Sequence, residues 1–214
     1  MPQATVLIPA YNEAGTVGSV VAAARAAGFP VVVADDGSVD ATAEAAAQAG
    51  ARVVRLPENR GKGAAYAAGL QAVATPYVIL LDADLVGLRP EHLRALLEPV
   101  ATGRAEMAVG VFRGGRLLTD LGNRLTPQLS GQRALPAGLL AGVPGLERAR
   151  YDVELLLTRT ARERGWRVVY LPLGGLSQVM KEEKRGLWAG LRHRLRMYRE
   201  VLRYALSGRT PRGR

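Results

Sequence analysis

An apolar run that ends in two carboxylates constrains this chain more than any other feature. Residues 78–84 read Val-Ile-Leu-Leu-Asp-Ala-Asp. Four consecutive apolar residues are typical of a strand buried on both faces. Asp82 and Asp84 are two positions apart, so along an extended backbone their side chains point the same way. Two carboxylates held this close at the end of an apolar strand are energetically unfavourable without a cation between them. Mg²⁺ or Mn²⁺ would supply the positive charge and would in turn hold a phosphate. The alternative is that the two aspartates belong to a solvated turn.

Length and composition indicate one large domain, or one domain with an appendage. The chain has 214 residues, 48% of them hydrophobic, which allows a substantial core. It contains no cysteine, which excludes disulfides and thiolate metal sites. No apolar run is long enough to span a membrane, and the N-terminus lacks a signal-peptide pattern. We therefore expect a cytoplasmic protein.

The positive charge is concentrated at the C-terminus. Residues 179–214 hold 11 Lys/Arg and 3 Asp/Glu, a net charge of +8, whereas residues 1–178 hold 18 and 16, a net charge of +2. A nearly neutral body argues against a nucleic-acid partner and favours a tail with its own role. We predict a catalytic domain over residues 1–178 and a basic amphipathic helical tail over residues 179–214.

Short apolar runs alternate with helical patterns in the first half of the chain. This alternation predicts an α/β fold, Rossmann-like, with a mostly parallel sheet covered by helices. The predicted strands are 5–8, 31–34, 53–56 and 78–81, and the predicted helices are 13–27, 40–49 and 64–74. In open sheets of this type, ligands bind beyond the carboxyl ends of the strands. Each polar cluster of this half follows such an end, so we expect the clusters to converge.

The second half is less regular. Its pattern predicts helices over residues 90–101 and 151–164 and strands over residues 107–112 and 167–171. The stretch between, residues 113–148, is rich in Gly, Pro and Arg.

Four motifs occur in a fixed order along the chain. They are Pro9-Ala10-Tyr11-Asn12-Glu13, Asp35-Asp36-Gly37-Ser38-Val39-Asp40-Ala41-Thr42, Gly61-Lys62-Gly63-Ala64-Ala65 and Asp82-Ala83-Asp84. In order and spacing they resemble the nucleotide-sugar motifs of family 2 glycosyltransferases, which have the GT-A fold. The segment Ser130-Gly131-Gln132-Arg133-Ala134 resembles the acceptor-side motif of bacterial members, including those similar to dolichyl-phosphate mannosyltransferase and glucosyl-3-phosphoglycerate synthase.

The resemblance implies a set of donor-binding residues. The loop Pro9–Glu13 would cradle the base and ribose, although simple packing explains Tyr11 equally well, and Asp36 would contact the base. Lys62 lies between two glycines at a helix start, where a cation and backbone N–H groups both suit phosphate. For Asp40 we favour a helix cap. The implied donor-binding residues are Pro9, Ala10, Tyr11, Asn12, Glu13, Asp36, Gly61, Lys62, Asp82 and Ala83.

The resemblance also implies a Mg²⁺ or Mn²⁺ site. Asp84 would bind the metal directly, and Asp82 would contact the ribose or belong to the metal shell. Many GT-A enzymes add a late histidine, but here the matching region offers Gln178 as the nearest replacement. We expect the two histidines, His92 and His193, to be solvated positions on helices.

The reaction implied is transfer of a sugar from a UDP- or GDP-sugar. Inversion of configuration is the family expectation, and retention, as in related GT-A enzymes, is the alternative. An inverting enzyme needs a base for the acceptor hydroxyl, and Asp152 and Glu154 are the candidates. We prefer Glu154, and first-turn helix acids are the alternative for both. Arg133 is the best acceptor-side or phosphate-binding cation. Compatible acceptors are a polyprenyl phosphate, a glycolipid or a small phosphorylated acid.

The tail and the overall activity each leave alternatives open. The tail pattern suits an anionic membrane surface, but its apolar face would also suit packing on the body or a homodimer interface. Two other activities compete with glycosyl transfer: a nucleotidyltransferase acting on sugar phosphates, and a non-catalytic nucleotide-binding or membrane scaffold. The first would normally carry a basic Gly-rich loop after the first strand, which Pro9–Glu13 does not provide.

Overall fold

A seven-stranded mixed sheet is the centre of the part that the computed structural model describes, which is residues 3–113, 130–150 and 152–178. Its strands are β1 (Ala4–Ala10), β2 (Val31–Asp35), β3 (Arg52–Arg55), β4 (Tyr77–Leu80), β6 (Met107–Arg113), β7 (Arg133–Pro136) and β8 (Val168–Gly174). Two short strands, β5 (Leu85–Val86) and β9 (Ser177–Gln178), form a separate pair. The helices are α1 (Val17–Ala26), α2 (Thr42–Gln48), α3 (Lys62–Leu70), α4 (Pro90–Ala101), α5 (Ala137–Ala141) and α6 (Val153–Glu163), with a 3₁₀ turn at Leu146–Arg148.

The strand order is β3-β2-β1-β4-β7-β6-β8. Strands β3, β2, β1 and β4 are parallel to one another, and so are β6 and β8, whereas β7 is antiparallel to both of its neighbours. The predicted α/β class with a mostly parallel sheet is confirmed. Strand β7 was not predicted, because four residues give too short a pattern to distinguish from a loop.

The sheet is covered on both faces. Val6 and Ile8 of β1 pack with α1 and α4, while Leu7 between them packs with α3 and α6. Successive side chains of a strand alternate between its two faces, so a strand with a helix layer on each side must be apolar throughout. The same reasoning accounts for the buried run Val78–Leu81 before the two aspartates.

Several predicted boundaries are wrong by a few residues. Pro9 and Ala10 belong to β1 and not to the following loop. Helix α1 begins four residues later than predicted, because Glu13 to Thr16 form a turn in which the Thr16 N–H donates to the Glu13 carbonyl at 3.0 Å. Asp40 is not the N-cap of α2, which is Ala41, although Asp40 does accept the N–H of the first helical residue.

The pair β5–β9 positions the end of the described chain. It is antiparallel, with Leu85 opposite Gln178. This pairing brings Gln178 next to the segment that follows Asp84, and the Gln178 side chain contacts Asp82.

The predicted basic tail, residues 179–214, lies outside the described residues, and so does His193. Among the helices that the structure describes, none combines the length and apolar character needed to cross a bilayer.

Gly63, in the first turn of α3, lies against the 3₁₀ turn that precedes α6. A Cβ at Gly63 would be 1.9 Å from the Leu146 carbonyl oxygen and 2.5 Å from that of Ala149. We expect Gly63→Ala to destabilise the fold by about 2 kcal/mol, because backbone atoms must move to admit the methyl group. The matched control is Gly138→Ala in α5, where a Cβ meets nothing within 4 Å and should be neutral or slightly stabilising. Urea unfolding measures both, and equal midpoints for Gly63→Ala and wild type would contradict this packing.

Candidate active site

The carboxyl ends of β1, β2 and β4 meet at one edge of the sheet, because these strands are parallel and adjacent. The loop after β1 contains Asn12, the loop after β2 contains Asp36, and Asp82 follows β4. Polar side chains at this edge connect the loops to one another through hydrogen bonds.

The loops after β1 and β2 are fastened together through Asn12. The backbone of Asn12 is left-handed, with φ 55°. Its N–H donates to Ser38 Oγ at 2.9 Å, and its side-chain oxygen accepts the Val39 N–H at 3.0 Å. Glu13 continues the connection, since its N–H donates to Thr42 Oγ1 at 2.8 Å. Tyr11 is 40% exposed at this edge, and its role as a wall for the base stays a prediction.

The Asp36 carboxylate is hydrogen-bonded to the loop that precedes Lys62. It is buried, and its two carboxylate oxygens accept the N–H groups of Arg60 and Gly61, each at 2.8 Å. A contact between Asp36 and a base stays a prediction. The interpretation of the flanking glycines needs correction, because the Gly61 N–H is directed at Asp36 and the Gly63 N–H donates to the Ala149 carbonyl at 2.9 Å. Gly63 is required for close packing and not for access to a ligand.

Lys62 lies between two carboxylates. Its Nζ is 2.6 Å from Asp82 Oδ1 and 2.5 Å from Glu154 Oε1. The three side chains are largely buried, with exposed fractions of 22%, 17% and 14% respectively. Burial alone would lower the pKa of Lys62, but the two carboxylates outweigh it and raise the pKa well above its ordinary value. Lys62 is therefore a permanent cation that joins α3, the end of β4 and α6.

The other oxygen of Asp82 accepts two amide groups. Gln132 Nε2 lies 2.8 Å and Gln178 Nε2 2.6 Å from Asp82 Oδ2. Together with Lys62 on Oδ1, these contacts fix the orientation of the carboxylate. Ala83, the next residue, is buried, and Asp84 is half-buried immediately before β5.

The residues present suit a hard divalent cation that has few protein ligands. The part of the chain that the structure describes contains no group of three or more His, Asp and Glu side chains able to hold a metal ion. Gln178 directs its amide nitrogen at Asp82, which leaves its amide oxygen as a potential ligand near Asp84. A carboxylate and an amide oxygen match the preference of Mg²⁺ and Mn²⁺, and Mg²⁺ is usually completed by substrate phosphates and water.

Glu154 and Asp152 have different environments. Glu154 lies in the first turn of α6 and contacts Lys62, whereas Asp152 is exposed at the N-cap position, where its Oδ1 accepts the Arg150 N–H at 3.1 Å. Two positions apart on a helix, their side chains point about 200° apart. Of the two, Glu154 is the one directed at Lys62, which also contacts Asp82.

Arg133 is fully buried below the site. Its guanidinium donates to the Ser130 carbonyl at 2.9 Å, the Glu154 carbonyl at 3.1 Å and Thr158 Oγ1 at 3.2 Å. These contacts fasten β7 to the first turns of α6. Direct contact between Arg133 and an acceptor stays a prediction.

The prediction of a solvated His92 is wrong. His92 is only 5% exposed; its Nδ1 accepts the Arg89 N–H at 3.2 Å, and its Nε2 lies 3.1 Å from the Gly174 carbonyl. It fastens the start of α4 to the end of β8, next to the β5–β9 pair. The sequence pattern does not distinguish a buried, hydrogen-bonded histidine from a solvated one, because the apolar positions that predict helix α4 are the same in both cases.

A family model described as Glycosyl transferase family 2 matches residues 5–144. The chain belongs to glycosyl transferase family 2. A similar protein is an uncharacterized glycosyltransferase of Mycobacterium tuberculosis (strain H37Rv), 33% identical in an alignment of length 197 that covers 82% of this chain and 88% of that protein. Another is the undecaprenyl-phosphate 4-deoxy-4-formamido-L-arabinose transferase of Pseudomonas paraeruginosa, 40% identical in an alignment of length 124 that covers 52% of this chain and 36% of that protein.

Solved structures of a second mycobacterial enzyme resemble this family 2 chain. Glucosyl-3-phosphoglycerate synthase from Mycobacterium tuberculosis, in complex with Mn²⁺, UDP and glucosyl-3-phosphoglycerate, has a TM-score of 0.69 at 29% identity, over 83% of this chain and 72% of that one. The same enzyme in complex with Mg²⁺ and UDP has a TM-score of 0.69. The predicted GT-A fold and the predicted enzyme class are confirmed: the protein is a glycosyltransferase.

One residue of this family 2 site was missed by sequence reasoning. Gln132 contacts Asp82 directly, whereas the resemblance implies an acceptor-side role for the whole segment Ser130–Ala134. The available signal was a glycine followed by an amide residue, Gly131-Gln132, which is too weak to assign a partner.

Proposed function

We propose that this enzyme transfers a hexose from a nucleoside diphosphate sugar to a phosphorylated acceptor, with Mn²⁺ or Mg²⁺ and with inversion of configuration. The observation that carries the proposal is the position of Lys62 between Asp82 and Glu154, at the edge of the sheet where ligands of such folds bind. The cation suits a reaction in which an anionic diphosphate leaves, and a neighbouring carboxylate suits the removal of a proton from the acceptor.

The proposed donor is UDP-glucose or a close relative. Support comes from the structural neighbours, which were solved with UDP, UDP-glucose and Mn²⁺. Asp84 and the Gln178 amide oxygen are the residues that would hold the metal. When bound, such a metal neutralises the charge that develops on the departing diphosphate.

The remaining chemistry belongs to the residues of the chain. The bond between the anomeric carbon and the diphosphate oxygen breaks, and a bond from that carbon to the acceptor oxygen forms. Glu154 accepts the proton of the acceptor hydroxyl, and Lys62 stabilises negative charge on the leaving group. The oxocarbenium-like transition state is shared with glycoside hydrolysis, with an acceptor in place of water.

The proposed acceptor carries a phosphate. The neighbouring synthase was solved with phosphoglyceric acid and with glycerol 3-phosphate, and one sequence relative is named for undecaprenyl phosphate. We propose a small phosphorylated acid first and a lipid-linked phosphate second. An anionic membrane surface, engaged by residues 179–214, would suit the lipid-linked acceptor, and a homodimer interface formed by the same residues is the alternative role that we propose for them.

The test is a transfer assay with two donors and two acceptors. UDP-glucose and GDP-mannose would each be incubated with Mn²⁺ and either 3-phosphoglycerate or undecaprenyl phosphate in detergent, and the released nucleotide and the sugar product measured. Metal-dependent formation of a sugar–acceptor product supports the proposal. In a parallel reaction with added pyrophosphate, formation of a nucleoside triphosphate and a sugar 1-phosphate from the donor would instead identify a nucleotidyltransferase. No reaction with any donor in either assay would favour a non-catalytic nucleotide-binding or scaffold protein.

Replacement of Lys62 by Met should weaken UDP binding by about 10- to 100-fold, because a charge-assisted contact to the diphosphate is lost. UMP, which lacks the second phosphate, should be affected far less. Isothermal titration in the presence of Mn²⁺ measures both affinities. Arg94→Met removes one charge at an exposed position of α4 and serves as the control. An unchanged UDP affinity in Lys62→Met would exclude Lys62 from the diphosphate site.

A further inference from the structure

The segment Ser130–Gln132 lies directly over the Asp82 carboxylate. Gln132 is fully buried, and its Nε2 lies 2.8 Å from Asp82 Oδ2. A carboxylate only accepts hydrogen bonds, so the amide nitrogen and not the amide oxygen must face it. Because this amide is buried, no water can replace Asp82 as its partner, and loss of the contact would leave the Gln132 N–H₂ group unsatisfied.

Gly131 leaves the space that the carboxylate occupies. A Cβ at this position would be 2.5 Å from both Asp82 oxygens. Any side chain at residue 131 would therefore push Asp82 away from its present place. The absence of a side chain here and the presence of an amide at the next residue are both explained by contact with Asp82.

The same segment is anchored to β6. The Gly110 N–H donates to the Gln132 carbonyl at 2.8 Å. Ser130 Oγ lies 2.9 Å from Gln132 Oε1 and also contacts the Gly110 carbonyl, so its one proton serves either acceptor. These contacts hold both the backbone and the amide plane of Gln132, so the direction of its N–H₂ group is set before any ligand binds.

Gln178 makes a similar contact with Asp82, but from an exposed position. Its Nε2 is 2.6 Å from the same Asp82 oxygen, but Gln178 is exposed in the short strand β9. Water can replace an exposed amide at little cost, whereas nothing replaces the buried one. Of the two amides on Oδ2, Gln132 is the permanent one.

We propose that Gln132 is a positioning residue of the donor site: it fixes the rotation of the Asp82 carboxylate so that Oδ1 faces Lys62. Gln132 itself touches neither donor nor acceptor. Its effect on ligand binding rests on the proposed function, because it assumes that Lys62 meets the donor diphosphate.

The first experiment is a double-mutant cycle that does not depend on function. Gln132→Met, Asp82→Ala and the double variant are compared with wild type by urea unfolding. We expect Gln132→Met to destabilise the protein clearly in the wild-type background and at least about fivefold less, in the unfolding equilibrium constant, when Asp82 is already Ala. Equal effects in the two backgrounds would overturn the proposal.

The second experiment measures ligand binding by isothermal titration in the presence of Mn²⁺. Loss of a residue that orients a ligand-binding group typically costs 10- to 100-fold, so we expect Gln132→Met to weaken UDP about 10-fold and UMP hardly at all. Gln48→Met, at an exposed position of α2, is the matched control and should not change either affinity. A merely structural role would weaken UDP and UMP alike, and that result, or an unchanged UDP affinity, would overturn the proposal.

Two further outcomes are informative. If wild type binds no nucleoside diphosphate, the proposed function fails, and the unfolding cycle alone decides whether Gln132 positions Asp82. If Gln132→Met does not fold, Ser130→Ala replaces it in both experiments, because it removes the hydroxyl that holds the amide plane. A loss of UDP affinity without loss of UMP affinity in Ser130→Ala supports the proposal, and no change contradicts it.

Discussion

Replacing Glu154 by Gln is expected to lower the rate of sugar transfer by about 10³-fold while UDP binding stays the same or becomes tighter. General-base catalysis contributes about 10²- to 10⁴-fold, and a glutamine cannot accept the proton of the acceptor hydroxyl. Nucleotide binding should not suffer, because the substitution removes a negative charge from Lys62, to which Glu154 Oε1 lies at 2.5 Å. Single-turnover transfer and isothermal titration with UDP measure the two effects separately.

The matched control for Glu154 is Asp152→Asn. Asp152 is exposed at the N-cap position of α6 and should keep a rate within about threefold of wild type, because the side-chain oxygen of an Asn can still accept the Arg150 N–H. A wild-type rate in Glu154→Gln, together with a large loss in Asp152→Asn, would reverse the assignment of the base. Wild-type rates in both would show that the acceptor oxygen needs no base, as expected for an acceptor that attacks through a phosphate oxygen.

Replacing Asp84 by Ala is expected to abolish the Mn²⁺-dependent part of UDP binding and to reduce transfer by at least about 10³-fold. Asp84 follows the buried strand β4, beside the β5–β9 pair that brings in Gln178. Divalent ions of this class need carboxylate ligands, and few other protein ligands are at hand in the described part of the chain. Titration with UDP, with and without Mn²⁺, measures the effect.

Glu91→Ala serves as the control for Asp84, since it removes a carboxylate from an exposed position of α4. It should bind UDP as wild type does in both conditions. If the difference between titrations with and without Mn²⁺ is as large in Asp84→Ala as in wild type, Asp84 does not belong to the ligand set.

The sequence predicted the first half of the fold well, because each element there carries its own signal. The runs at residues 31–34 and 78–81 are apolar because helices cover both faces of the sheet, and this burial makes them readable as strands. Helix α4 was predicted with its observed bounds, Pro90–Ala101, since a proline at a helix start and a clear apolar stripe mark it.

The parts that sequence reasoning missed depend on distant contacts. Strand β7 exists because Arg133–Pro136 fills the space between β4 and β6, which no local pattern reveals. The two glycines beside Lys62 predict backbone N–H groups that suit a phosphate, whereas the 3₁₀ turn more than eighty residues later packs against Gly63. Gln132 likewise acquires its partner, Asp82, only when β7 is placed beside β4.

Motif chemistry predicted which residues matter better than it predicted what each one does. Lys62, Asp82 and Glu154 were each named as site residues, and the structure joins them in one ion-paired group. The chemistry of Arg133 predicts a phosphate-binding cation, whereas in the structure its guanidinium is buried under α6 and donates to the Glu154 carbonyl. Residue type indicates what a side chain can bind, and only the fold determines which partner it meets.

The most direct test of the account is a thermal-shift panel of UDP, GDP, ADP and CDP on the wild-type protein, with and without Mn²⁺. A ligand of the native state at about 100 times its Kd stabilises by about 2.7 kcal/mol, which raises Tm by several degrees. The account predicts that one nucleoside diphosphate, with UDP expected first, raises Tm in this way and does so more strongly with Mn²⁺. A panel in which no nucleoside diphosphate raises Tm, with or without the metal, would contradict the assignment of a nucleotide-sugar site to the edge formed by β1, β2 and β4.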